Sequence, residues 1–189
     1  MNYQTGIKRD GYNYLYGNRG MALEDDLNNS NTYYRETNRA IIYKKPTPIT
    51  INRVDYKSRN DAVIKEAHFK IPSTTDYNGI YKGKYIDFEA KETKNKNSFP
   101  LSNIHNHQII HLKNITRHGG IGFIIVRFSS LNETYYLNCK ELLNFIEHES
   151  RKSIPIKYFK ENGYLIKESL RPRLDYLKIV DKELGDINE

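Results

Sequence analysis

Asp76, Glu89 and Lys91 are residues whose types and spacing can do chemistry together. Asp76 closes the string Thr74-Thr75-Asp76, and the other two lie in Ile86-Asp87-Phe88-Glu89-Ala90-Lys91. The second string alternates apolar and charged residues, the two-residue period of a half-buried strand. That period predicts Ile86, Phe88 and Ala90 against a core, with Asp87, Glu89 and Lys91 sharing the opposite face. Glu89 stands 13 positions after Asp76, and the link contains Asn78-Gly79 and Lys82-Gly83-Lys84, both read as turns. A ribbon folded back there brings Asp76 to Glu89. Two carboxylates and an ammonium group at one point are costly unless something organises them, and a divalent metal would. Magnesium takes oxygen ligands and keeps several waters. The chemistry implied is metal-dependent phosphodiester hydrolysis, with Asp76 and Glu89 on the metal and Lys91 stabilising charge that builds on the phosphoryl group. An isolated E-x-K is common on charged outer strand faces. The preceding acid, the hairpin and the apolar strand that follows carry the catalytic reading. Asp87 shares a face with Glu89, and the pattern leaves both open as the second acid.

Other polar residues have two readings each. Gln108 sits on the apolar stripe of a predicted helix, either as an amide satisfied by backbone or as an oxygen donor leaning toward the metal. Glu24 reads as a helix-surface charge in preference to an outer ligand. His107 and His111 lie four apart on one helix, a spacing that zinc sites use, with His105 and His118 nearby. No cysteine or third ligand joins them at a suitable spacing, so they are read as facing solvent or a phosphate. The 16 tyrosines are read as core or amphipathic surface residues in preference to base-stacking platforms.

The elements that must position these residues follow from periodicity. Residues 1–18 lack it and read as a flexible basic arm. A helix begins near Gly20, with Leu23 and Leu27 one turn apart, and continues toward Tyr33-Tyr34. Ala40–Tyr43 is a strand candidate. Pro46 and Pro48 interrupt the chain before strand-like alternation resumes at Ile49, Ile51 and Val54. Ala62–Ala67 is either helical or extended. Between Arg39 and Lys70 eight basic residues face three acids. This surplus of five makes it the most basic long stretch, and Lys44, Lys45 and Arg59 are its foremost phosphate-contact candidates. Beyond the Lys91 strand comes a polar loop, Glu92–Ser98. Ser102 is then a plausible N-cap for a helix running to about His118 and stopping at Gly119-Gly120. Ile121–Val126 is a continuous apolar run, read as a central buried strand. Tyr135–Leu137 is a short strand, Leu142–Ile146 a short helix, and Leu174–Val180 an edge strand. The order argues for a mixed α/β sheet with flanking helices.

At 189 residues the chain fits one domain. The net charge is +7 and the pI about 9.3, pointing to a polyanionic partner such as nucleic acid. Mean hydropathy is −0.77, no apolar run reaches membrane-spanning length, and the first 30 residues lack a signal-peptide stretch. The single cysteine, Cys139, excludes an intrachain disulfide and fits a reducing, cytoplasmic setting.

Several longer strings carry a family likeness. They are Gly17-Asn18-Arg19-Gly20-Met21 followed by Leu23-Glu24, Lys44-Lys45-Pro46-Thr47-Pro48-Ile49, and Pro72-Ser73-Thr74-Thr75-Asp76-Tyr77-Asn78-Gly79. To these add Asp87-Phe88-Glu89-Ala90-Lys91-Glu92-Thr93-Lys94, Arg127-Phe128-Ser129, Arg151-Lys152-Ser153-Ile154-Pro155 and Pro172-Arg173-Leu174-Asp175-Tyr176. Over nearly its whole length the chain resembles the RecU Holliday-junction resolvases. The resemblance implies a restriction-endonuclease-like fold of the PD-(D/E)xK kind, here with Thr75 in place of the proline before the first acid. It implies one nuclease domain over residues 19–183, a basic stalk inserted at about 45–69 and a tail at 184–189. It implies a metal site of Thr74, Asp76, Glu89 and Gln108, thereby choosing Glu89 over Asp87, and matches Lys91 to the transition-state lysine. Magnesium is the implied cofactor, with manganese as a substitute. The activity is that of an endonuclease making paired nicks in four-way and other branched DNA during homologous recombination and repair. Lys44, Lys45, Lys57, Arg59 and Lys65 are the expected DNA contacts. The implied partners are a second copy of the chain in a homodimer and a RecA-type recombinase, with no membrane. The rival reading is a non-catalytic junction-binding or strand-annealing protein, against which the intact acid–acid–lysine set argues.

Overall fold

The computed structural model describes residues 23–56, 58, 61–70 and 74–186. The arm expected over residues 1–18, together with Lys57 and Arg59, lies outside them. Among the described residues, six strands pair in one sheet in the order β1, β4, β5, β7, β8, β10. These are Ile41–Lys44, Tyr77–Tyr81, Lys84–Thr93, Ile121–Phe128, Glu133–Asn138 and Tyr164–Leu165 respectively. β5 and β7 are parallel, and the other neighbours are antiparallel. Parallel neighbours need a crossover. Here it contains α2 (Asn106–Arg117), so the sheet is mixed α/β, as expected.

Alternation along β7 divides the core in two. Phe123 and Ile125 face one side, with Ile86, Phe88 and Ala90 of β5. Leu23, Leu27 and Tyr34 of α1 (Leu23–Glu36) and Leu177 and Val180 of α5 (Leu177–Asp186) cover them. Tyr77, Phe88 and Phe123, on three adjacent strands, stack with ring centroids 4.8 and 4.7 Å apart. Ile124, Val126 and Phe128 face the other side, against Leu112 of α2, Leu142 and Phe145 of α3 (Cys139–His148) and Phe159 of α4 (Ile156–Asn162). A short pair, β6 (Ser98–Pro100) with β9 (Ser153–Pro155), ties the segment before α2 to the segment before α4. Tyr34, Tyr77, Tyr136 and Tyr176 are wholly buried, which is the core role expected for tyrosine here. Among the described residues no helix is long and apolar enough to cross a membrane.

The undecided stretch near Ala62–Ala67 is extended. β2 (Ile49–Asp55) and β3 (Val63–Phe69) form an antiparallel ribbon of their own. Apart from half-buried Thr50, every residue of both strands is exposed. The ribbon is closed at its root by Lys70 N donating to Pro48 O at 2.9 Å.

Four local expectations are corrected. Asn78-Gly79 is not a turn but the middle of β4, where Gly79 pairs with Ile42 of β1. A Cβ there would lie 2.0 Å from Ile41 O, so the glycine serves close strand approach. The chain reverses instead at Lys82-Gly83, both with positive φ (48° and 74°), as a two-residue hairpin turn requires. β5 is not half-buried: Ile86 to Ala90 are all buried, because helices cover both faces of the sheet. Ser102 caps no helix, since Leu101–Asn103 is a single 3-10 turn. α2 starts at Asn106 with His105 as N-cap, where Gln108 Oε1 accepts from His105 N at 2.9 Å. Leu174–Val180 is not an edge strand. Leu177, Val180 and Leu184 recur at helical spacing, and α5 buries that stripe, running through Leu184 to Asp186.

Candidate active site

The β4–β5 hairpin sets the register of the site. Tyr77 pairs with Phe88, and one step further Asp76 draws level with Glu89. β4 has ended there, while β5 runs on to Thr93. Backbone groups of β5 on that side are therefore available to Asp76 instead of a strand partner. Ala90 N donates to Asp76 Oδ2 at 3.3 Å, and Asp76 N donates to Glu89 Oε2 at 3.1 Å. Glu89 is 0% exposed at its side chain, and Lys91 Nζ lies 2.5 Å from Glu89 Oε1. Apart from that ion pair, Oε1 has no partner among the described residues. The expected trio is thus brought together on one face of one strand pair.

Electrostatics mark the same point. Burial pushes the Glu89 carboxyl up to about 7, and the Asp76 carboxylate adds to the rise, while Lys91 opposes it. A buried carboxylate facing a second one is poised for a cation. The donors are hard oxygens, and the buried Glu89 Oε1 meets only the Lys91 ammonium among the described residues. No cluster of three or more His, Cys, Asp or Glu occurs among the described residues. Magnesium is commonly held by one or two carboxylates with waters, so the residues present fit that ion.

Thr74 is half-buried beside this pair in sequence. Gln108 is buried with its side-chain oxygen on His105 N, the backbone-satisfied reading; a carbonyl oxygen retains a second lone pair. Glu24 is half-exposed and ion-paired with Lys44, the surface reading. Lys65 is exposed near Asp55, at 3.5 Å. His105 and His107 stack their rings, whereas His111 faces Asp87.

Asp87 carries an arrangement that sequence reasoning missed. Its side chain is also 0% exposed. It accepts from Lys45 Nζ at 2.7 Å, from Tyr85 OH at 3.0 Å and from the Thr75 hydroxyl, with His111 Nε2 at 3.1 Å. Lys45 Nζ also donates to Thr75 Oγ1 at 2.9 Å, so the ammonium expected on DNA is committed inside the protein. The signal available in sequence was the charge at Asp87 between the apolar Ile86 and Phe88; its partners Lys45, Thr75 and His111 come from three separate segments.

Comparison with known proteins identifies relatives of the whole chain. Over 170 residues the chain is 58% identical to the Holliday junction resolvase RecU of Geobacillus sp. (strain WCH70), covering 88% of this chain and 85% of that one. It is 50% identical over 182 residues to the Holliday junction resolvase RecU of Bacillus mycoides (strain KBAB4), covering 95% and 89%. Among solved structures, the Archaeoglobus fulgidus Hjc, a Holliday junction resolvase, aligns at a TM-score of 0.44 and 11% identity, over 75% of this chain and 92% of that one. The profile of RecU, Recombination protein U, matches residues 18–182. With that match over most of its length, and with relatives at this identity, the chain belongs to the RecU family.

Proposed function

We propose that this protein is a metal-dependent endonuclease that resolves four-way DNA junctions. The observation that carries the reading is the convergence of Asp76, Glu89 and Lys91 at the point where β4 ends and β5 continues, in a member of the RecU family. Two carboxylates and a lysine in this order also support naming the core restriction-endonuclease-like.

Asp76 and Glu89 would hold magnesium, or manganese in its stead, with Thr74 and Gln108 completing or orienting the shell. When bound, the ion supplies Lewis acidity to the phosphoryl group and to an attacking water. Glu89 brings a buried oxygen whose one neighbour is the Lys91 ammonium. Lys91, two residues along the same face, supplies positive charge beside the phosphate as negative charge builds. The exposed β2–β3 ribbon would engage the junction, with Lys44 and Lys65, and Lys57 and Arg59 in the same stretch, meeting phosphates. Lys45 is left out of this set, because its ammonium is turned inward onto Thr75 and Asp87.

A four-way junction is roughly two-fold symmetric, so a homodimer would present two equivalent sites to opposed strands. Recognition would rest on shape and phosphate positions. The setting would be cytoplasmic recombination and repair, with a RecA-type recombinase as a further partner implied by the family likeness.

The test is a magnesium-dependent cleavage assay comparing a labelled four-way junction with linear duplex of the same sequences. Wild type is expected to nick the junction symmetrically. Asp76→Ala and Glu89→Ala are expected to bind it with unchanged affinity and to cut at least about a hundredfold more slowly. Binding by wild type without cutting under magnesium or manganese would mean an architectural protein on a retired nuclease fold.

A further inference from the structure

Asp76 stands just before β4, one step beyond Tyr77, which pairs with Lys44 of β1, so the β1–β4 register carries on to Lys45 opposite Asp76. The Asp76 main-chain oxygen accepts from Lys45 N at 2.7 Å. The same lysine turns its side chain inward, to Thr75 Oγ1 at 2.9 Å and Asp87 Oδ2 at 2.7 Å. Thr75 in turn gives its hydroxyl to the other oxygen of Asp87. Residues 75 and 76 are thus bound from two directions, by the backbone and side chain of Lys45 and by a carboxylate rooted in the middle of β5. Tyr85 and His111 fill the remaining approaches to Asp87, and Asn78 Nδ2 donates to Tyr85 OH at 3.0 Å.

The cost of this arrangement argues for a role. A fully buried carboxylate with a mostly buried ammonium is weak evidence for stability, since an apolar pair of like volume often does as well. It does fix a unique geometry. Lys45 also stands where the chain leaves β1 for the exposed ribbon, four residues before Ile49. A ribbon that moves on its root would disturb Asp76 unless that root were pinned to the sheet.

We propose that Lys45 and Asp87 are positioning residues. Acting through Thr75, they hold Asp76 at the distance from Glu89 that cation binding needs, and Lys45 contacts no DNA. This inference rests on the metal-site reading above. Partners outside a metal's direct ligands orient those ligands, and their loss typically lowers metal affinity tenfold or more.

The experiment measures Mn2+ binding to the intact protein, by titration calorimetry and electron paramagnetic resonance. Junction affinity is measured alongside in EDTA, thermal midpoint in both states, and cleavage in magnesium. The variants are Lys45→Met, Lys45→Arg and Thr75→Val. The last keeps volume and leaves the Lys45–Asp87 pair in place, so it tests the tie if Lys45→Met fails to fold. Lys45→Met is expected to weaken Mn2+ binding about tenfold with unchanged junction affinity. Thr75→Val should weaken it severalfold, and Lys45→Arg should recover part of the loss. Unchanged Mn2+ affinity in Thr75→Val and in the folded lysine variants would overturn the proposal. Weakened junction binding with normal Mn2+ binding in Lys45→Met would overturn it too, and make Lys45 a phosphate contact. A wild type that binds no Mn2+ and cuts no junction would overturn the resolvase reading itself, a result distinguishable from either of these.

Discussion

Glu89 is the residue at which function and stability pull apart. Without metal, its carboxyl is buried, faces Asp76 and holds its proton up to about pH 7. A group whose folded pKa is raised binds more protons folded than unfolded. Its stabilising contribution is therefore complete below the ordinary value of 4.5 and is lost as pH rises through about 7. Glu89→Gln removes the ionisation while keeping the shape. In metal-free protein it should raise stability at pH 8 by roughly 2–3 kcal/mol, with the advantage over wild type shrinking toward zero near pH 4.5. Urea unfolding of both proteins in EDTA across this range checks the sign and the window. The same substitution should abolish cleavage, the exchange expected where a site stores cost for chemistry.

At the scale of elements, the ribbon and the sheet are separable. The main core clusters draw on α1, β1, β4, β5, β7, β8 and the later helices, and contain no residue of β2 or β3. The ribbon's two ends are already joined by the Lys70–Pro48 hydrogen bond at 2.9 Å, so a short glycine–serine link can replace Ile49–Phe69. The shortened protein should keep its thermal midpoint within a few degrees and its Mn2+ affinity. Its junction affinity should fall, and the plot of log affinity against log salt should become shallower, because phosphate contacts are lost. An unchanged salt slope would remove the ribbon from the DNA-binding surface. The strand half of this element was legible from Ile49, Ile51 and Val54. Its return strand was not, since Val63–Phe69 has every side chain exposed and no buried face to impose a period.

At the scale of the whole molecule, the two ends of the described chain are clamped together through one buried charge cluster. Asp26 of α1 is paired with Arg127 of β7 at 2.5 Å and with Arg173 at 3.2 Å. Arg173 also binds Glu168 at 2.7 Å, and Ser30 Oγ accepts from Leu174 N at 2.8 Å. α5 is fastened further on, where Tyr136 OH and Asn138 Nδ2 donate to Glu183 at 2.6 and 2.9 Å. Removing Arg127 leaves the buried Asp26 with the part-exposed Arg173 as its remaining ion-pair partner. Arg127→Met should therefore cost about 3 kcal/mol by urea unfolding, the low end for breaking a buried pair. Asp26→Asn with Arg127→Met should cost less than the two separately, because the charges are coupled.

The acid–acid–lysine set, the strand that carries Glu89 and Lys91, the apolar strand beside it and the family likeness can all be read along the chain. Each of these rests on local periodicity or on contiguous strings, and both survive in one dimension. Tertiary structure alone decided that Asn78-Gly79 is strand, because the reason is the Ile41 backbone pressed against Gly79 from β1. It also decided that Leu177–Asp186 is helix, since only packing against the sheet selects between two readings of one apolar pattern. The role of Asp87 likewise required the fold. Its partners Lys45, Thr75 and His111 stand 42, 12 and 24 residues away, and no short-range pattern records contacts that the sheet and α2 assemble.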